Sequence, residues 1–229
     1  SCPFIKRKFV DRVNKLLPLY NSVIPTTYEY AQAYRDAGVK SLLPTLPLPL
    51  NMDHIFYQDN IVTGKIVIFH GINRIGFKGT EIIKEALKIL QHKYPREIEV
   101  VIDGRMPYAD YLKVINQANI IIDQLFNECL GMNALISMAM GKIVVCGDVT
   151  KTMMELNINK KSPSVSVKPT VDDIVDQVSK LIEKKQLIPE HGYNSMIFVK
   201  KYFNHVKVAE KYLKAWNWSS NDPHLINVI

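Results

Sequence analysis

From Lys65 onward the chain alternates between two hydrophobic periods. The short apolar, largely β-branched runs KIVIFHG, IEVVIDG, NIIIDQL and KIVVCGD read as strands buried on both faces. Between them lie segments whose apolar positions recur every three or four residues. In TEIIKEALKILQHKY the residues Ile82, Ile83, Ala86, Leu87 and Leu90 share one face, which predicts a helix starting near Thr80. YADYLKVINQA and GMNALISMAM follow the same rule. Strands and helices in strict alternation predict an α/β fold, a Rossmann-like parallel sheet with helices on both faces. After Asp148 the pattern weakens through KTMMELNINKKSP, returns as a short strand in SVSVK, and gives a helix over Val171 to Lys184. One long terminal helix is expected from about Tyr193 to Trp216, with an irregular tail behind it.

The first fifty residues follow another pattern. A basic amphipathic stretch, FIKRKFVDRVNKLL, leads through LYNSVIP to a helix around Tyr28 to Ala37. In LLPTLPLPLN the residues Pro44, Pro47 and Pro49 exclude a helix and predict an extended linker. The expected organisation is therefore a segment over 1–46, a sheet domain over 47–216 and a tail over 217–229. The first segment is too short for a core of its own and must pack on something else.

Composition narrows the setting. With 229 residues and 47% hydrophobic content the chain can bury one good core. Its longest apolar runs, such as Ala118 to Leu125, are too short and interrupted to span a bilayer. Cys2, Cys129 and Cys146 are odd in number and lack metal-ligand spacing. Cys146 inside KIVVCGD reads as a small buried hydrophobe, and a reducing, cytoplasmic setting is expected. The chain opens on Ser1, as a piece of a longer one would. A net charge of +7 favours anionic partners such as nucleotides or lipid headgroups, and is compatible with peripheral contact at the inner face of a membrane. Nucleic acid is set aside, because neither an aromatic-and-basic RNA signature nor zinc-finger spacing occurs.

The stretch KIVIFHGINRIGFKGT carries the first candidate chemistry. A strand ends at Gly71, a glycine-punctuated loop carries Arg74 and Lys78, and a helix begins near Thr80. Glycines let backbone approach a phosphate, and the helix N-terminus offers unpaired N–H groups and a partial positive charge. The other reading is an ordinary turn with two solvated cations. Gly71 and Gly76 have Walker A spacing, but Phe77 precedes Lys78 and Gly79 separates Lys78 from Thr80, so a P-loop is excluded. A dinucleotide fingerprint fails as well, since Gly76 and Gly79 lack the first glycine of G-x-G-x-x-G. His70, alone at a strand end, reads as a packed or hydrogen-bonded residue.

The order of blocks, HGINR and FKGT before a helix, then NIIIDQL, then ECLGMNALISMAMGKIVV, resembles the C-terminal, donor-binding half of a GT-B glycosyltransferase. The resemblance is to the large retaining family of glycosyl transferases group 1, and runs from about Pro47 to Trp216. The ending FVKKYFNHVKVAEKYLKAW resembles that family's closing helix. It implies a short remnant of an N-terminal acceptor domain before the linker, a nucleoside-diphosphate sugar as donor with no further cofactor, and a glycan or lipid-linked sugar as acceptor. Sugar transfer within polysaccharide biosynthesis is the implied role.

The resemblance also assigns residues. Arg74 and Lys78 would grip the donor diphosphate, where charge grows as the glycosidic bond breaks. Glu128 would face the donor sugar's hydroxyls, although an acid ahead of a helix also simply complements its dipole. Gly71, Asn73, Gly104, Asp123, Gly131, Met132 and Asn133 would line the nucleotide, the last three through the start of a helix. No metal ligand is implied, and D-x-D is absent. A second carboxylate expected on the ribose falls instead on Ile136. That departure leaves two rivals open: a non-catalytic nucleotide-binding or interaction domain, and a sugar-nucleotide epimerase of the same fold.

Overall fold

The computed structural model describes residues 7–72, 78–104 and 106–216. Helices α1 (Arg7–Leu16) and α2 (Tyr28–Asp36) come first. The alternating part follows as β1 (Ile66–Gly71), α3 (Thr80–Lys93), β2 (Ile98–Asp103), α4 (Tyr108–Gln117), β3 (Ile120–Ile122), α5 (Met132–Ala139), β4 (Ile143–Cys146), α6 (Thr150–Glu155), β5 (Val165–Ser166) and α7 (Val171–Glu183). Helices α8 (Ile188–Tyr202) and α9 (His205–Ala215) close the described chain. All five strands pair in parallel, in the order β2-β1-β3-β4-β5.

That order explains the apolar strands, because both faces are covered. On one face Ile66 and Ile68 of β1, Ile120 and Ile122 of β3, and Ile143 and Val145 of β4 pack on α3 and α7 through Ile83, Leu87, Leu90, Ile174 and Val178. On the other, Phe69, Ile121 and Val144 meet Tyr111 and Ile115 of α4, Leu135 and Met138 of α5, and Phe198 and Val199 of α8. Each fully buried Ile or Leu contributes roughly 1.5–3 kcal/mol by leaving water, so the alternation along each strand fixes which helix lies where. The strand order reverses between β1 and β3. In open parallel sheets such a switch point opens a crevice at the carboxyl ends of the strands.

Two local expectations change. The single helix from Tyr193 to Trp216 is two helices, starting earlier at Ile188 and broken at Phe203 and Asn204. The cause is long-range pairing. Leu50 N–H donates to the Phe203 carbonyl at 2.7 Å, and His205 N–H donates to the Leu50 carbonyl at 3.0 Å, which takes this backbone out of the helical ladder. The Asn204 side chain then caps α9 by accepting from the N–H groups of Val206 and Lys207. The weak stretch after Asp148 holds the six-residue helix α6, ended by Asn157 in the left-handed region at φ 54°.

The linker is extended and anchored. Beyond Leu50 it reaches Asn60, whose side chain donates to the Asn119 carbonyl at 2.9 Å and accepts from Asn119 Nδ2 at 2.8 Å. Asn119 Oδ1 in turn accepts Val67 N–H at 2.9 Å. Both amides are buried. The helix α2 rests on α6, where Tyr28 N–H donates to Thr152 Oγ1 at 3.3 Å and Thr45 Oγ1 donates to Glu155 at 2.8 Å. Among the described residues no helix is long and apolar enough to cross a membrane.

Replacing Asn119 by Ala leaves the Val67 N–H and the Asn60 side-chain oxygen without their partners, while Asn60 Nδ2 keeps the backbone carbonyl. The variant should lose about 1–3 kcal/mol of stability, the usual range for an orphaned buried polar group. Equilibrium urea denaturation checks this, and a change below about 0.5 kcal/mol would show that the amide pair carries no load.

Candidate active site

The sheet brings the ends of β1 and β3 side by side at the switch point, and each delivers one charge. Lys78, 7% exposed, places Nζ 2.9 Å from Asp123 Oδ1 and 3.1 Å from the Gly71 carbonyl. Asp123, 2% exposed, also accepts from Asn133 Nδ2 at 2.9 Å, and Asn133 Oδ1 accepts from the Tyr111 hydroxyl. One chain of contacts thus joins the loop before α3, the end of β3, the first turn of α5 and the face of α4. Burial, and then the Asp123 charge, push the Tyr111 phenol up, so it stays a neutral donor to Asn133.

Backbone geometry completes the edge. Gly79, at φ 74°, sits in the left-handed region ahead of Thr80 and caps α3. Gly104 lies so close to the β1 end that a Cβ there would stand 2.1 Å from the Ile72 carbonyl oxygen, a contact only glycine avoids. Gly131 is extended and opens α5. A hollow of about 430 Å³ lies at the N-terminus of α3, lined by Ile72, Gly79, Thr80, Glu81, Lys84 and Phe126. No side chain among the described residues caps the first turn of that 14-residue helix, whose N-terminal N–H groups carry a partial positive charge beside Glu81. His70 is fully buried behind it. Its Nδ1 lies 2.8 Å from the Ile122 carbonyl, which can only accept, so Nδ1 carries the proton and Nε2 accepts from Thr80 Oγ1 at 3.1 Å.

Of the residues expected at the site, Lys78, Gly71, Asp123 and Asn133 form one connected group, with Gly131 and Met132 at its α5 end. Gly104 sits at the neighbouring β2 end. Asn73 and Arg74 lie outside the described residues. Glu128 is not part of the connected group. Its carboxylate pairs with Lys151 of α6 at 2.8 Å, and its backbone N–H donates to Glu29 Oε1 of α2 at 2.6 Å. Ile136 is half-buried and lines a second, largely apolar cavity of about 570 Å³ between α4, α5 and the linker, shared with Leu50, Ile55, Tyr108, Leu112 and Met132. Among the described residues no group of three or more His, Cys, Asp or Glu is placed to hold a metal ion.

Residues 79–195, just over half of the chain, match the family model of glycosyl transferases group 1. The chain belongs to this family. Its fold agrees with solved glycosyltransferase structures at low identity. HepE of Anabaena, solved with UDP-glucose, superposes with a TM-score of 0.71 at 16% identity, over 95% of this chain and 69% of that one. A TarM variant of S. aureus, solved with fondaparinux, alpha-GlcNAc-glycerol and UDP, gives 0.68 at 14%, over 92% and 47%. Sucrose-phosphate synthase of Thermosynechococcus elongatus gives 0.64 at 16%, over 95% and 63%. At these identities the likeness is one of fold, the GT-B C-terminal domain. The chain spans about half the length of the TarM chains it matches. No curated protein matches it in sequence.

Three side chains went unread in the sequence: Tyr111 in the connected group, and Lys151 and Glu29 on Glu128 outside it. Tyr111 lies on the α4 face that periodicity marks as core, and nothing local separates a core tyrosine from one that orients an asparagine. Lys151 and Glu29 lie in α6 and α2, far in sequence from Glu128, and no spacing rule joins them.

Burial lowers the pKa of His70 below its usual 6.5, with the Lys78 charge acting in the same direction. The folded state then binds fewer protons than the unfolded chain, so stability is lost as pH falls through the unfolded value and below it. Denaturation midpoints should drop between about pH 7 and about pH 5, and the drop should shrink in His70→Gln. An identical pH profile for the two proteins would rule out this role for His70.

Proposed function

We propose that this chain is the donor-binding half of a glycosyltransferase that moves a sugar from a nucleoside-diphosphate sugar to an acceptor hydroxyl. The observation that carries it is the convergence of Lys78, Asp123, Asn133 and the α5 N-terminus at the sheet's switch point, within a chain of this family. Three features of that place suit a leaving diphosphate: a cation fixed in place by Asp123 that would turn toward the ligand, two helix N-termini, and glycines that admit a close backbone approach. Arg74 adds the second cation in this reading, and Gly71, Asn73, Gly104 and Met132 line the nucleotide. Glu128 faces the donor sugar.

The finer features rest on the family resemblance. Transfer proceeds with retention at the anomeric carbon, and side chains rather than a divalent ion neutralise the leaving group. The departing phosphate takes the acceptor proton. Residues 1–46 are the end of an acceptor domain and 217–229 a tail. The acceptor is a glycan or lipid-linked sugar of polysaccharide biosynthesis, and the basic surface works in the cytoplasm at the inner face of a membrane.

Ile136 favours a second reading. An apolar side chain over an apolar cavity accepts nothing from ribose hydroxyls, which suits a family member that binds nucleotide without turning over. The epimerase reading has no observation of its own.

Calorimetry with nucleoside diphosphates tests the first reading. Charge-assisted contacts contribute about 1.5–3 kcal/mol, so Arg74→Ala and Lys78→Ala should each weaken binding about tenfold or more. Unchanged affinity in both folded variants would remove the diphosphate site. Ile136→Glu should introduce a preference for ribo- over deoxyribonucleoside diphosphates that the parent lacks. A strong ribose preference in the parent would mean that another residue reads the sugar ring. Release of nucleoside diphosphate together with a glycosylated acceptor, once the upstream region is supplied, separates transfer from mere binding.

A further inference from the structure

The loop carrying Glu128 is held from outside the sheet domain. Glu29, in the first turn of α2, accepts the Glu128 backbone N–H at 2.6 Å, a donor 99 positions away in sequence. Its neighbour Tyr28 presents a ring face to Lys151, with Nζ 5.1 Å from the centroid, while the same ammonium pairs with the Glu128 carboxylate at 2.8 Å. Tyr28 N–H donates to Thr152 on the same helix as Lys151, and Arg35 pairs with Glu155 one turn further along α6. Backbone and side chain of Glu128 are therefore both fixed by residues that α2 contributes or touches.

Glu29 is an expensive way to hold a loop. Its second oxygen, Oε2, is buried with no N–H or O–H partner among the described residues, and the Cys129 thiol faces the same carboxylate. An amide or hydroxyl would satisfy one backbone N–H without that desolvation penalty. What the carboxylate adds is a shorter, stronger, charge-assisted bond that leaves the loop little freedom.

We propose that Glu29 is a positioning residue for the donor sugar: by accepting the Glu128 N–H it sets the direction of the Glu128 carboxylate, with Lys151 and Tyr28 fixing its far end. The N-terminal segment, rather than the sheet domain alone, then governs how tightly sugar hydroxyls are held. This rests on the reading above that Glu128 faces the donor sugar. The α2–α6 contact combines part-exposed polar pairs with the buried Ala31 and Thr152, and sugar recognition loosens when its polar pairs do.

The experiment is calorimetry on the 229-residue chain with UDP, GDP, ADP and dTDP and the glucose conjugate of each, for the parent, Glu29→Ala, Glu29→Gln and Glu128→Ala. Glu29→Ala and Glu128→Ala should each weaken the sugar nucleotide about tenfold, and Glu29→Ala should leave the matching nucleoside diphosphate within about twofold. Glu29→Gln keeps an acceptor oxygen and should recover most of the loss. Equal losses for both ligands, or none, in Glu29→Ala would overturn the proposal, since a merely structural role does not single out the sugar. An unaffected Glu128→Ala would instead overturn the reading on which it rests, as would a parent that binds none of the probes. Amide hydrogen exchange gives a ligand-free arm. The Glu128 amide should exchange about tenfold faster in Glu29→Ala while the amides of β1 and β3 keep their rates. Unchanged exchange at Glu128 would overturn the proposed hold.

Discussion

A lysine ammonium and an aspartate carboxylate 2.9 Å apart, both nearly sealed from water, tie the loop after β1 to the end of β3. Neither charge is tolerable there alone. Desolvating a single ion costs several kcal/mol even after relaxation, and the pair offsets this only with good geometry and further hydrogen bonds. Those bonds are present: the Gly71 carbonyl takes another ammonium proton and Asn133 gives an N–H to the carboxylate. Asn133 is oriented in turn by Tyr111, so the constraint spreads from one ion pair to α4 and α5.

The apolar layers exist around this edge. Two hydrophobic clusters, one on each face of the sheet, set the strand order, and the strand order sets the switch point at which Lys78 and Asp123 meet. The N-terminal segment attaches by different physics. Beside the buried Ala31 and Thr152, it meets α6 and the Glu128 loop through ion pairs, hydroxyls and a cation over a ring, and the more exposed of these are individually weak and sensitive to salt. A sheet domain with an apolar core and a neighbour joined to it largely through polar contacts follows from these residues.

Much of this was legible in the sequence, for local reasons. Continuous β-branched runs gave β1 to β4, a single apolar stripe gave α3, and prolines gave the extended linker, because each depends only on neighbours two to four positions away. The parallel sheet followed from the alternation. What stayed hidden involves partners distant in sequence. The break at Phe203 and Asn204 needs Leu50, which no helical periodicity reports. Lys78 read as a cation open to a diphosphate. In the structure it is buried and paired with Asp123, 45 positions on. Glu128 read as facing the donor sugar, and the residues that hold it, Glu29 and Lys151, lie 99 and 23 positions away. Met132 and Ile136 followed from the helix start, but the apolar cavity they line depends on a linker eighty residues earlier in about its middle, a closeness only the fold creates.

The central claim is that the Lys78 and Asp123 charges hold the carboxyl edge as a unit, and a double-mutant cycle in equilibrium denaturation tests it most directly. Lys78→Met and Asp123→Leu each leave one buried charge unpaired, and each should lose about 3–5 kcal/mol. The double variant removes both charges. It should recover at least about 1–2 kcal/mol relative to the sum of the single losses. Losses that add within about 0.5 kcal/mol would contradict the account, because two charges that do not sense each other cannot be what holds the edge together.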